Sequence, residues 1–275
     1  MTAFEGIEPI VMDFSGGGDG RLRALSLLLL SLADDEFVIG FSDSEWTGIG
    51  PILEEDVAIS SLAQDELGHA QALYRLFVDV AAGTGFAAFA DADTVAYDRP
   101  PEGYYHARLL DHGRGDWAMT IARRWLYETA DAARLEALAN SSYDPLRELV
   151  DKLRREERYH RMHVDAWLDR LANGGADSRR RLEAALGELG PDAGTVLAPL
   201  PGESALVRHG ILTEPFAAIE ARWREEADET LRRLGLAPLP PTADPDAART
   251  SHSQVFRALH DEFTLVRRSE VGATW

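Results

Sequence analysis

Apolar residues along this chain recur every three or four positions, the period of a helix with one buried stripe, and no segment alternates apolar and polar residues as a half-buried strand does. Helices are predicted at about 21–45, 51–82, 103–112, 114–140, 144–173, 177–189, 203–211, 213–235 and 246–269. Glycine and proline mark the breaks: Gly48-Ile49-Gly50-Pro51, Gly83-Thr84-Gly85, Asp98 to Gly103, Asn173-Gly174-Gly175, Leu197 to Gly202 and Leu236 to Pro245. Pro51 suits the first turn of the second helix. Residues 1–20 read as a loose start that ends in the Gly16-Gly17-Gly18 turn. The long helices come in two pairs, 21–45 with 51–82 and 114–140 with 144–173. The expected architecture is all-α, a single domain over 1–275 with a four-helix bundle core over about 21–173 and a helical extension over about 177–269.

Acidic residues interrupt the buried stripes of all four long helices. In the second, Ile59 and Leu62 lead to Glu66 and His69, then to Leu73 and Phe77; in the fifth predicted element, Leu146, Leu149 and Leu153 lead to Glu157 and His160. Each pair is a Glu-x-x-His word, and residues three apart share a helix face, so one word can supply two ligands to a single ion. The helix before each word carries a lone acid on its apolar face. Glu36 lies one turn beyond Leu32, after the run Leu25 to Leu32 that only Ser26 and Ser31 interrupt, and Glu128 sits among Ile121, Trp125, Ala132 and Leu135. A single such word in a chain with 27% charged residues is usually a solvated face. Two on apolar stripes, each with an upstream acid, point instead to a metal centre of Glu36, Glu66, His69, Glu128, Glu157 and His160. Glu156 stands next to Glu157, and which of the two faces inward is left open. An oxygen-rich set without thiolate suits two iron ions, with manganese or a mixed pair as alternatives, better than structural zinc. Asp65 and Glu156 are placed to accept the outer N–H of His160 and His69, respectively, across the bundle.

Composition narrows the function. The formal charge of −19 argues against nucleic acid, for which the chain has no basic patch. The absence of cysteine excludes disulfides, thiolate catalysis and iron–sulfur ligation. Ala24 to Ala33, the longest apolar stretch, is too short to span a bilayer, and the start of the chain lacks a basic segment followed by an apolar core. A cytoplasmic protein without membrane association is expected. No Gly-x-Gly-x-x-Gly word follows a strand, so the sequence shows no flavin or nicotinamide fingerprint. Arg123, Arg124, Arg154, Arg155, Arg158 and Arg179-Arg180-Arg181 read as helix-surface charges paired with the many acidic residues. The remaining histidines, His106, His112, His163, His209, His252 and His260, read as surface or ordinary core residues, with His163 nearest the centre.

Several words carry a resemblance: Ser44-Glu45-Trp46, Gly50-Pro51-Ile52-Leu53-Glu54-Glu55-Asp56, Asp65-Glu66-Leu67-Gly68-His69-Ala70, Glu156 to His160 and the closing Trp275. With them the chain resembles the ferritin-like carboxylate di-iron proteins, and more narrowly the phenylacetyl-CoA epoxidase (PaaA/PaaC-like) family of phenylacetate degradation. The Glu-Trp and Pro-x-Leu-Glu-x-Asp words look most like the structural subunit, PaaC. That subunit has largely lost its metal positions, whereas here all six carry competent side chains. The resemblance implies a ferritin-like bundle and a di-iron monooxygenase, an epoxidase or hydroxylase, acting with dioxygen on an aromatic or acyl-CoA-type substrate. It also implies an oligomer, a related oxygenase subunit and an electron-donating reductase as partners. Glu66 and Glu157, or one of them, would bridge the irons, and Phe37, Trp125 and Tyr127 neighbour the lone acids as candidate pocket or core residues. Two other readings are a non-catalytic structural subunit and a ferritin-like protein that handles iron or reduces peroxide.

Overall fold

The computed structural model describes residues 20–82, 84 and 89–269, and every regular element among them is helical. In chain order these are α1 (Gly20–Ser44), α2 (Leu53–Ala81), the short α3 (Ala92–Tyr97), α4 (Trp117–Leu138), α5 (Asp144–Asn173), α6 (Ala176–Leu189), α7 (Glu203–Arg208), α8 (Phe216–Arg233), α9 (Gln254–Phe263) and α10 (Leu265–Ser269). The fold is a ferritin-like four-helix bundle of α1, α2, α4 and α5 with further helices after it.

Cross-helix contacts fix the helix directions. Tyr74 meets Asp34 while Gly40 abuts Ala63 and Glu66, so α2 runs antiparallel to α1. Arg124 meets Asp43 while Arg134 meets Asp35, so α4 is also antiparallel to α1. Helices α2 and α4 are therefore parallel, which requires the long crossover through residues 82–116 rather than a tight turn. A short turn then returns α5 antiparallel to α4, with Trp125 on Asp165 and Glu128 facing His160. Helix α6, the 3-10 turn Gly190–Leu197 and α8 pack on α4, and α7 packs on α1.

Every residue of α1 from Ala24 to Gly40 is buried, so this helix has no solvent face along that stretch. Its acids therefore need internal partners. Asp34 accepts from Arg99, Tyr74 and the Tyr105 N–H. Arg134, Arg249 and the Ala107 N–H serve Asp35. Asp43 receives Arg123 and Arg124.

Several boundaries differ from expectation. Helix α2 starts at Leu53 with Ile52 as N-cap, so Pro51 stands outside it. In place of a helix over 103–112 there are two 3-10 turns, Pro101–Gly103 and Arg108–Asp111, because the backbone there serves Asp34 and Asp35. Helix α3, N-capped by the Asp91 side chain, is an element that periodicity does not predict. The expected helix over 246–269 is broken: the chain before α9 places Arg249 against Asp35, and Ser253 caps the helix that follows. The loose start, the Gly16-Gly17-Gly18 turn and Trp275 lie outside the described residues. No helix among the described residues is long and apolar enough to cross a membrane.

Candidate metal centre

The inward faces of α1, α2, α4 and α5 meet at mid-bundle. Helices α1 and α2 approach closely at Gly40, where a Cβ would sit 3.1 Å from both Glu66 Cβ and the Ala63 carbonyl oxygen. There the structure brings together two groups of four side chains, Glu36, Glu66, His69 and Glu157, and Glu66, Glu128, Glu157 and His160. Glu66 and Glu157 belong to both. His69 Nδ1 lies 3.1 Å from Glu157 Oε1, 3.5 Å from Glu36 Oε2 and 3.6 Å from Glu66 Oε2. His160 Nδ1 lies 3.2 Å from Glu66 Oε1, 3.4 Å from Glu157 Oε2 and 3.9 Å from Glu128 Oε1. Glu157 faces inward, while Glu156 is partly exposed and turns to His69 Nε2 at 2.8 Å. Across the bundle, Asp65 Oδ2 stands 3.4 Å from His160 Nε2. Both rings thus point Nε2 at a carboxylate and Nδ1 at the centre, the orientation that leaves Nδ1 free to ligate.

The fit to metal rests on unpaired atoms. Glu36 Oε2, Glu66 Oε2, His69 Nδ1, Glu128 Oε2, Glu157 Oε1 and His160 Nδ1 are buried without a hydrogen-bond partner. Each such atom costs about 1–3 kcal/mol if nothing satisfies it. Hard oxygens with two imidazole nitrogens form a donor set that fits two iron or manganese ions.

Burial and mutual charge shift the titration of the groups at the centre in opposite directions. Burial, then repulsion from Glu66, pushes the Glu36 carboxyl well above its ordinary range. Burial does the same to Glu128 despite Arg124. Glu157, against burial and against Glu66, is drawn down to about 2 by the two imidazoles. Glu66, against burial, is drawn well down by His160 and Arg124. His160 overcomes its burial through Glu66 and Glu157 and rises to about 12, and His69 is raised strongly by Glu157, Glu36 and Glu66.

Several residues have roles at the centre that their sequence positions do not show. Tyr127 is no simple pocket aromatic, since its hydroxyl donates to Glu36 Oε1 at 2.9 Å. Arg123 and Arg124, which read as surface charges, are fully buried. Arg124 Nη1 donates to Asp43 Oδ2 at 2.6 Å, and Nη2 donates to Glu66 Oε1 at 2.6 Å and to Glu128 Oε1. Arg154, Arg155 and Arg158 are exposed, and Arg179, Arg180 and Arg181 pair with local acids. His163 binds Glu55 at 2.7 Å. His106 is buried 2.6 Å from Asp111 and stacked on His252, a grouping that no sequence spacing announces.

Fold and centre together define a class, a ferritin-like helical bundle with a candidate dinuclear carboxylate site. Residues 15–275 match the phenylacetic acid catabolic protein family, and the chain belongs to it. It is 29% identical over 205 residues, 74% of this chain and 80% of the relative, to the C-type subunit of 1,2-phenylacetyl-CoA epoxidase from Escherichia coli (strain K12).

Proposed function

We propose that this chain is an oxygenase subunit of the phenylacetyl-CoA epoxidase type that holds two iron ions and works with a related subunit and a reductase. The observation that carries the reading is the convergence of six buried, unpartnered ligand atoms from four helices. Glu36, Glu66, His69 and Glu157 would hold one ion, and Glu66, Glu128, Glu157 and His160 the other, with Glu66 and Glu157 shared. When bound, the metal pair supplies activation of dioxygen for oxygen transfer to an aromatic acyl-CoA thioester. The chain's own residues supply the rest. Glu156 and Asp65 hold the imidazoles with Nδ1 inward. The Tyr127 hydroxyl orients Glu36. Buried apolar neighbours keep water from the site. A cleft of about 270 Å³ between α1, α2 and α3, lined by Phe37, Leu67, Gly68, Tyr74 and Tyr97, is next to Glu36 and His69 along the chain and is where an aromatic group would enter.

A second reading, a metal-free structural subunit, is favoured by one observation: Arg124 already neutralises Glu66 and Glu128. Elemental analysis separates the two. On the catalytic reading, protein made with iron supplied and purified without chelators carries about two irons per chain, and Glu66→Ala loses most of them. Folded protein that lacks metal after purification and after anaerobic Fe²⁺ loading refutes the metal centre and leaves the scaffold.

A further inference from the structure

The halves of the centre are not equivalent. On the His69 side all four facing atoms, Glu36 Oε2, Glu66 Oε2, His69 Nδ1 and Glu157 Oε1, are buried and unpartnered. On the His160 side Glu128 Oε2 and His160 Nδ1 are likewise unpartnered, but Glu66 Oε1 and Glu128 Oε1, the oxygens nearest His160 Nδ1, are already engaged by Arg124 Nη2. Asp43 fixes that guanidinium from behind, and Arg123 holds the other Asp43 oxygen. Arg124 is fully buried and cannot leave without stranding the charges of Asp43 and Glu66. A second divalent ion must therefore share Glu66 and Glu128 with a fixed cation, or pull Glu128 away from it.

We propose that Arg124 is an internal cation which sets the order of metal loading: the Glu36–His69 half binds the first ion tightly, and the Glu128–His160 half binds the second weakly. This rests on the dinuclear reading above. Arg124 touches no substrate and acts through Glu66 and Glu128, so it is a positioning residue.

The test is calorimetric titration of full-length, metal-free protein with Mn²⁺ and with Co²⁺, the latter also followed by visible absorption. Wild type is expected to bind one equivalent tightly and a second about 100-fold more weakly, and Arg124→Met to narrow that gap about tenfold or more. Glu128→Gln should abolish the weak phase and spare the tight one, and Glu36→Gln should do the reverse. These two variants keep the test decisive if Arg124→Met does not fold. Two equivalents of equal affinity in wild type, or a gap unchanged in Arg124→Met, overturn the inference and leave the dinuclear reading standing. No binding by wild type removes both.

Discussion

Glu36 and Glu157 face the same imidazole nitrogen from opposite walls, yet neutralising them should have opposite consequences for metal-free stability. Glu157 has an ordinary value of 4.5 and is held to about 2 in the fold. At about 1.4 kcal/mol per tenfold in protonation, that difference is about 3 kcal/mol of stability at pH 7. Because the folded value is depressed, the contribution is complete above 4.5 and is lost as pH falls toward 2. Glu36 is shifted the other way, upward, by burial and by Glu66, so its surroundings favour the uncharged form that an amide imitates. In EDTA-treated protein at pH 7, urea unfolding followed by circular dichroism should show Glu157→Gln destabilised by up to about 3 kcal/mol and Glu36→Gln by less than about 1 kcal/mol. The Glu157→Gln deficit should shrink to about half by pH 3. Equal losses for the two variants, or a Glu157→Gln deficit independent of pH, would refute this division of charge.

Three further predictions concern the frame around the centre. Arg249→Met strips a bidentate partner from buried Asp35 and should cost about 3–5 kcal/mol, read as a lower urea midpoint; a loss under about 1 kcal/mol would mean that Arg134 alone suffices. A Cβ at Gly194 would overlap Thr242 Oγ1 and Glu220 Oε1, so Gly194→Ala should lower stability by about 1–3 kcal/mol, while Gly187→Ala, in α6 with open space around it, should raise it by up to about 1 kcal/mol in thermal melts. His106 and His260 are depressed below 6.5, chiefly by burial, and remain neutral in the fold. Unfolding takes up protons below pH 6.5, so stability should fall on acidification by up to about 1.4 kcal/mol per pH unit for each, and His106→Gln should flatten that slope whatever its overall cost.

Periodicity makes the bundle readable in advance because α2 and α5 each carry one buried stripe, and a polar residue on such a stripe stands out. The same logic exposes Glu66, His69, Glu157 and His160 as a convergent set, and Glu36 and Glu128 through their apolar surroundings. It fails where a helix has no exposed face. Along α1, nothing in the sequence marks Asp34, Asp35 and Asp43 as buried, yet that face is covered by the crossover, by α4 and by the segment before α9. Their partners come from Arg99, Arg123, Arg124, Arg134 and Arg249, at separations that no local pattern encodes. The 3-10 turns near 101–111 look like helix in sequence for the same reason, since the carboxylates of Asp34 and Asp35 claim backbone N–H groups that a helix would have used internally.

The same buried ion pairs bear on whether the centre is kept for metal. Asp34, Asp35 and Asp43 are each matched by arginine, which shows how this bundle satisfies a buried acid when nothing else is to be bound. Glu36 and Glu157 are equally enclosed but face only imidazoles, a tyrosine hydroxyl and other carboxyls. A bundle built only for support would lose nothing by filling these positions with apolar side chains, a change that is often neutral or stabilising by about 1–4 kcal/mol. Arg124 removes part of that cost, at Glu66 Oε1 and Glu128 Oε1. Six donor atoms stay unpaired, four beside His69 together with Glu128 Oε2 and His160 Nδ1, and the proposed metal pair would satisfy them.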